Sequence, residues 1–286
     1  MWTRGDLSLP MRPILSEALQ VDNLEITIPG LSPSLQGITI AQLSDLHYDG
    51  LRLSEELLEE AIAATNEAKP DIILLTGDYV TDDPAPIHPL CQRLKYLQSR
   101  LGIYAVLGNH DHLYIPGSRE EITQALTKID IQVLWNQIAY PFGAEMPLVG
   151  LADFWSRDFK QAKVVMEQLD PALPRIVLSH NPDSAIFLTQ WRVDLQLSGH
   201  THGGQITLPD GQPLPLFVAN LRHSVPRPLH IFIPFLQQCS NVVDHWEWAK
   251  GLHQVGYNQI YINRGLGTYF PGRYACPPEV SIIRLI

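Results

Sequence analysis

Cysteine is scarce in this 286-residue chain, basic residues are outnumbered by acidic ones, and long apolar runs are missing. The three cysteines, Cys91, Cys239 and Cys276, are scattered and show no CxxC spacing. That excludes a disulfide framework and a thiolate zinc site, and it fits a reducing, cytoplasmic setting. Twenty Lys and Arg stand against thirty Asp and Glu, a net charge of −10. Non-specific nucleic-acid binding, which draws its affinity from basic side chains, is therefore not expected. Nor is adsorption of the whole surface to anionic lipid. No apolar stretch is long enough to span a bilayer, so no transmembrane helix is expected. Residues 1–13 are interrupted by Asp6, Pro10 and Pro13 and lack the apolar core of an export signal.

What is present is an ordinary globular composition, 45% hydrophobic and 17% charged, in a chain long enough to bury a substantial core. Strand and helix patterns alternate from residue 24 onward. Strands are expected at 24–28, 38–43, 71–75, 103–107, 131–135, 147–151, 175–178, 193–197, 260–262 and 280–285. Between them lie helices. One opens at Ser54 with Glu55 and Glu56 in its first turn, one carries Leu90, Leu94, Leu97 and Leu101 on one face, and one opens with a capping box from Ser118 to Glu121. Shorter helices are expected at 160–169 and 185–190. The continuous apolar run Ile72-Ile73-Leu74-Leu75 implies a sheet covered on both faces. Together these features define a layered α/β fold in one domain, 1–286, with residues 1–20 as a surface arm.

Five of the strands run into polar, ligand-capable residues: Asp45 and His47, Asp78, Asn109 and His110, His180, and His200 and His202. In open α/β sheets, ligands gather at the carboxyl ends of strands, so distant residues converge on one rim. Any one of these residues alone reads as a turn former; five such strand ends read as a shared site. Two carboxylates, one amide and four imidazoles without a thiolate suit transition ions such as Mn, Fe or Zn better than Ca or Mg. Seven donors are too many for one open ion and suit two, about 3.5–4 Å apart, sharing a carboxylate. Such a centre attracts a phosphate ester even in an acidic protein.

Asp45-x-His47, Gly77-Asp78, Gly108-Asn109-His110-Asp111, His180 and Gly199-His200-Thr201-His202 resemble, in order, the five motifs of the calcineurin-like metallophosphoesterases. Gly203-Gly204-Gln205, Gly251-Leu252-His253, Asn263-Arg264-Gly265-Leu266-Gly267-Thr268 and Pro277-Pro278-Glu279 resemble signatures of its YkuE/YaeI-like bacterial branch. The resemblance implies a four-layer α/β/β/α sandwich with a dimetal site on one edge. It implies one ion on Asp45, His47, Asp78 and His202, and another on Asp78, Asn109, His180 and His200. Asp78 would bridge the two ions, and a metal-bridging hydroxide would attack phosphorus. His110 would stand outside the ligand shell, binding substrate with Asn109 and protonating the leaving oxygen. Arg264 is either a phosphate contact or a buried structural arginine. Asp49 and His112 are either orienting residues or solvated loop residues, and Asp111 is expected to fix the loop carrying His110.

Residues 209–250 are longer than the corresponding connection in that branch and rich in apolar side chains. Phe217, Leu221, Val225, Leu229, Ile231, Phe232, Phe235, Trp246 and Trp248 lie among them. From 217 to 250, three basic residues (Arg222, Arg227, Lys250) face two acidic ones (Asp244, Glu247), a balance of +1. The insertion is expected to be either extra core or a dimer contact, or else a lid or interfacial patch at 217–248 that meets an acyl chain or membrane surface. The expected activity is hydrolysis of phosphodiester or pyrophosphate-linked substrates, lipid ones among them. The alternatives are a broad phosphomonoesterase and a catalytically silent metal-binding scaffold.

Overall fold

The computed structural model describes residues 11–224 and 242–286. Two six-stranded mixed sheets stack face to face. The first has the order β1-β12-β2-β3-β4-β5, from β1 (Gln20–Ile26), β12 (Glu279–Leu285), β2 (Thr39–Leu43), β3 (Ile72–Leu75), β4 (Ile103–Ala105) and β5 (Ile131–Val133). The second has the order β10-β11-β9-β8-β7-β6, from β10 (Gly251–Val255), β11 (Asn258–Ile262), β9 (Leu195–Ser198), β8 (Ile176–Leu178), β7 (Leu148–Gly150) and β6 (Gln137–Ala139). β2 to β5 run parallel, as do β7, β8, β9 and β11. Their carboxyl ends carry all five expected motifs.

Side-chain alternation sorts the layers. Ile72 and Leu74 of β3 enter the core between the sheets with Ile40, Ile176, Leu178, Leu195 and Leu197. Ile73 and Leu75 point the other way, onto the outer helices α1 (Glu55–Glu67), α2 (Ile87–Leu94) and α3 (Ser118–Thr127). On the far side, α4 (Ala162–Met166) and α5 (Ser184–Leu188) cover the second sheet through Val149, Val177, Met166 and Leu188. Helix, sheet, sheet, helix is the expected four-layer sandwich. Each fully buried Leu or Ile in these layers contributes about 1.5–3 kcal/mol relative to exposure.

Several local expectations need correction. β1 begins at Gln20, not Leu24, because Gln20 N donates to Pro278 O (2.9 Å) and the strand pairs along all of β12. Residues 14 and 15 are held as well: both amides donate to Pro271 O, and Leu15 O accepts from Arg273 N. The arm of residues 1–20 is thus docked where it is described; residues 1–10 lie outside the described residues. α2 stops at Leu94, since the Asn66 side chain takes Tyr96 O and Gln98 N and turns the chain. Leu101 consequently packs between the sheets instead of along the helix. Ser54 caps α1 through Leu57 N (3.2 Å), but the Ser118 capping box does not form. The cap position falls to Gly117, in the left-handed region at φ 87° where glycine is favoured. Glu121 instead meets His88 at 3.1 Å. The short strands β6 and β10 lack enough alternation to be anticipated.

Candidate metal centre

All five motif segments meet where the carboxyl ends of β2, β3, β4, β8 and β9 converge, and Asp45, His47, Asp78, Asn109, His180, His200 and His202 are all buried there. Five of these residues have left-handed backbone: Asp45 (φ 51°), His47 (43°), Asp78 (56°), His200 (73°) and His202 (51°). For a residue with a Cβ this conformation costs on the order of 1 kcal/mol or more, and it persists only where the surroundings impose it. It tips the donors out of the strand direction. The divergence of His200 from His202 comes with the left-handed backbone of the two histidines themselves. Gly199 serves close approach: a Cβ there would overlap Ser44 Oγ and Asp45 Oδ2.

The donors fall into tight clusters. Asp45, His47 and His202 place ligand atoms within 4.8 Å of one another, and so do Asp78, His180 and His200. One atom links the groups. Asp78 Oδ2 lies 3.1 Å from His180 Nε2 and 3.5 Å from His47 Nε2. His110 also comes within 4.8 Å of His47 and Asp78.

Three observations test whether this pocket suits divalent cations. First, outer hydrogen bonds orient the imidazoles. His180 Nδ1 meets Thr76 O at 2.7 Å, His202 Nδ1 meets Gly267 O at 3.0 Å, and His200 Nε2 meets Val242 O at 2.9 Å. A carbonyl only accepts, so those nitrogens carry the hydrogen and the opposite lone pairs face inward. Second, the inward nitrogens confront each other: His47 Nε2 and His202 Nε2 at 3.1 Å, His180 Nε2 and His200 Nδ1 at 3.1 Å. Opposed lone pairs at that distance need a cation or a proton between them. Third, Asn109 Oδ1 is a buried acceptor without a partner among the described residues. The donor set fits two ions.

Electrostatics follow the same geometry. Burial works to lower all four imidazoles, yet His180, against Asp78, is pushed up to about 10. His200 goes down to about 4 through burial and its positive neighbour His180. Burial raises Asp45 to about 6 against the pull of His180. His110 is raised overall: burial opposes this, but Asp78, Asp82 and the Thr81 carbonyl outweigh it.

The neighbours resolve as follows. His110 Nδ1 lies 2.5 Å from Thr81 O and 3.3 Å from Asp82 Oδ1, and its amide donates to Asp78 Oδ1 at 2.9 Å. Asp111 accepts the amides of Gly108, Asp78 and Tyr79 at 2.8–2.9 Å, tying the two loops together. Asp49 accepts from Leu51 N, Arg52 N and Thr81 Oγ1. It thereby anchors the segment whose carbonyl orients His110. His112 turns away to Asp153 (2.9 Å) and the Trp135 ring. The Arg264 guanidinium meets Asp22 Oδ2 at 2.7 Å and Glu279 Oε2 at 2.9 Å, the position of the structural arginine of the two readings.

Sequence reasoning missed four residues here. Tyr269 touches His47, Trp155 stands edge-on to His200 at 4.9 Å, and buried Asp153 follows β7 as a further polar strand end. Arg273 is fully buried and binds the carbonyls that support His202. Only Asp153 left a signal of the kind used, an acid two residues beyond an apolar run.

The flanks of the long insertion are built into the site. Helix α6 (Leu214–Ser224) packs Leu216 and Ala219 on Val243, Trp246 and Ala249. The returning segment then supplies Val242 O to His200 and Ala249 O to Thr201 Oγ1 (2.6 Å). The described part of 209–250 therefore forms a small apolar cluster of its own beside the site. Val225, Arg227, Leu229, Ile231, Phe232, Phe235 and Cys239 lie outside the described residues.

Residues 38–204 match the family model for calcineurin-like phosphoesterases, and the chain belongs to that family of hydrolases. It is 34% identical to the phosphodiesterase YaeI of Escherichia coli (strain K12) over 249 residues, 85% of this chain and 80% of that one. It is 29% identical to the metallophosphoesterase YkuE of Bacillus subtilis (strain 168), across 94% of this chain and 87% of that one. It is also 28% identical to the UDP-2,3-diacylglucosamine pyrophosphatase LpxG of Chlamydia trachomatis serovar D, across 94% and 89%. The YkuE/YaeI-like branch is thereby borne out. Among the described residues, no helix is long and apolar enough to cross a membrane.

Proposed function

We propose that this chain is a dimetal phosphoesterase for phosphodiester or pyrophosphate-linked substrates. Asp45, His47, Asp78 and His202 would hold one divalent transition ion, and Asp78, Asn109, His180 and His200 the other, with Mn, Fe or Zn as the metals their donor chemistry suits. The carrying observation is Asp78 Oδ2, one oxygen facing both donor clusters. Two such ions, when bound, supply Lewis acidity and bring the pKa of water to near 7. The chain's own residues do the rest. With His110 Nδ1 engaged by Thr81 O, Nε2 is the nitrogen left for the substrate. It donates to a phosphoryl oxygen and passes a proton to the departing one. Asn109 presents its amide beside it.

The assay is turnover of bis-p-nitrophenyl phosphate against p-nitrophenyl phosphate after metal reconstitution, with Asp78→Ala as the inactive control. Preference for the diester is expected. Preference for the monoester favours the broad phosphomonoesterase, and full metal occupancy with no turnover of either favours the silent scaffold.

The exposed apolar surface supports a lipid-bearing substrate. The Tyr114 ring lies tilted beside His110 at 5.1 Å, and Leu113, Tyr114, Ile115 and Phe270, which follow His110 and Tyr269 in the chain, are exposed. α6 adds exposed Phe217 and Leu221 on the face opposite its packed side. Exposed apolar side chains of this kind suit acyl chains at a bilayer surface. The relative LpxG is named for a diacylated substrate. Work at the cytoplasmic membrane face completes the reading. Flotation with liposomes tests it: Phe217→Asp with Leu221→Asp should release the protein, and equal non-binding by both proteins would remove the membrane contact. Deleting the whole segment is a poorer test, because it removes the carbonyl that orients His200.

A further inference from the structure

Three of the four inward-facing imidazoles lean on backbone carbonyls, of Thr76, Gly267 and Val242. His47 does not. Its Nδ1 lies 3.2 Å from the hydroxyl of Tyr269, a group that can either donate or accept. Tyr269 is held firmly. Its ring stands edge-on to His47 at 5.0 Å and to His202 at 5.4 Å. The Arg52 guanidinium covers its face 4.4 Å from the ring centre. On either side the backbone is tied, Tyr269 N to Gln205 Oε1 (2.6 Å) and Thr268 N to Arg52 O (2.9 Å). Among the described residues, His47 is the one polar partner of the Tyr269 hydroxyl.

We infer that Tyr269 is a positioning residue for His47, and through it for the ion held by Asp45, His47 and His202. This rests on the dimetal reading above. When His47 Nε2 gives its lone pair to a cation, the ring hydrogen must sit on Nδ1, and the Tyr269 oxygen accepts it. The hydrogen bond selects that tautomer and holds the ring at its angle to Asp45 and His202. The Asp78–His180–His200 cluster takes its orientation from Thr76 and Val242 and owes nothing to Tyr269. The two ions should therefore respond differently to loss of one hydroxyl. Outer-shell partners of metal-bound histidines are typically worth about 10–100-fold in affinity.

The test is calorimetric titration of the metal-free full chain with Mn²⁺, comparing wild type with Tyr269→Phe, which keeps the ring and its stack with Arg52. Wild type should take two ions. Tyr269→Phe should weaken one by about 10–100-fold and leave the other unchanged. The effect should persist in a His200→Ala background, where the Asp45–His47–His202 cluster is intact, and vanish in a His47→Ala background. A general loosening of the fold acts in both backgrounds, so the pair decides even where Tyr269→Phe lowers the unfolding midpoint. Equal weakening of both ions, weakening of neither, or loss that survives in His47→Ala overturns the role of Tyr269. Wild type that takes up fewer than two ions removes the dimetal reading, and this inference with it. Wild type with two ions and an unaltered Tyr269→Phe removes the inference alone.

Discussion

Replacing Arg273 with methionine should destabilise the protein without touching any donor of the metal centre. The guanidinium is buried and, among the described residues, meets no carboxylate. It donates to Thr268 Oγ1 (2.9 Å) and to the carbonyls of Arg264 (2.8 Å), Gly265 (3.0 Å), Gly267 (2.7 Å) and Cys276 (3.2 Å). Gly265 O keeps Glu279 N and Gly267 O keeps His202 Nδ1, so truncation strips Arg264 O, Cys276 O and Thr268 Oγ1, and an unmet buried group costs about 1–3 kcal/mol. At the low end, three acceptors amount to about 3 kcal/mol. Water entering the space beside the shorter side chain satisfies some of them, and the charge no longer has to be desolvated. A net loss of about 2 kcal/mol is expected. Urea unfolding of the metal-free protein reads it as a lowered midpoint at unchanged slope. Because Gly267 O also accepts from His202 Nδ1, affinity for metal should fall in the same variant. A stability loss below about 1 kcal/mol would refute the claim that this one side chain holds the 264–276 loop together.

His110→Ala should retain both metals while turnover drops by about 10²–10⁴-fold; full metal content with unchanged turnover would sink its role as proton donor. Gly199→Ala pushes a methyl group into Ser44 Oγ and Asp45 Oδ2, so it should lower metal uptake and cost about 1–3 kcal/mol of stability; a wild-type-like melting curve would contradict this. Chelation should lower the melting temperature of wild type, because ions bound only to the folded state stabilise it by mass action. In Asp78→Ala, which loses the oxygen common to both clusters, chelator should make little difference; an equal drop in both proteins would detach Asp78 from the metals.

The frame and the donors were legible because both depend on local chemistry. Apolar runs such as Ile72–Leu75 mark buried strands, and the polar residues that follow them sit at the carboxyl ends by construction. The supports were not legible. Tyr269 meets His47 across 222 positions of chain, and no periodicity or spacing encodes that contact. Arg273 carried no motif, and its importance rests on burial among carbonyls. Arg264, in a recognisable motif, proved to be held by Asp22 and Glu279. The Ser118 capping box failed for a more local reason, since Gly117 offers the chain a left-handed entry into α3 that moves the cap off the serine. Hydrogen-bond acceptors of the right type at the right spacing are insufficient when the backbone turns one residue early.

The left-handed residues explain why the support shell is as extensive as it is. Asp45, His47, Asp78, His200 and His202 all occupy φ values between 43° and 73°, each at some conformational cost. Something must impose those angles. Asp111 does so for the Asp78 loop by accepting its amide and that of Tyr79. Asp45 binds the amide of His200 at 3.0 Å, so a donor of one cluster fixes the backbone of the other. Gly267, next to Tyr269 in the chain but one, donates to Asp45 O at 2.7 Å while accepting from His202 and Arg273. Asp45 and His202 are thereby tied to one loop, and Asp45 joins the two clusters at the His200 amide. Weakening the 264–276 loop should loosen Asp45 and His202 together, whereas the carbonyl of Thr76 keeps His180 in place independently.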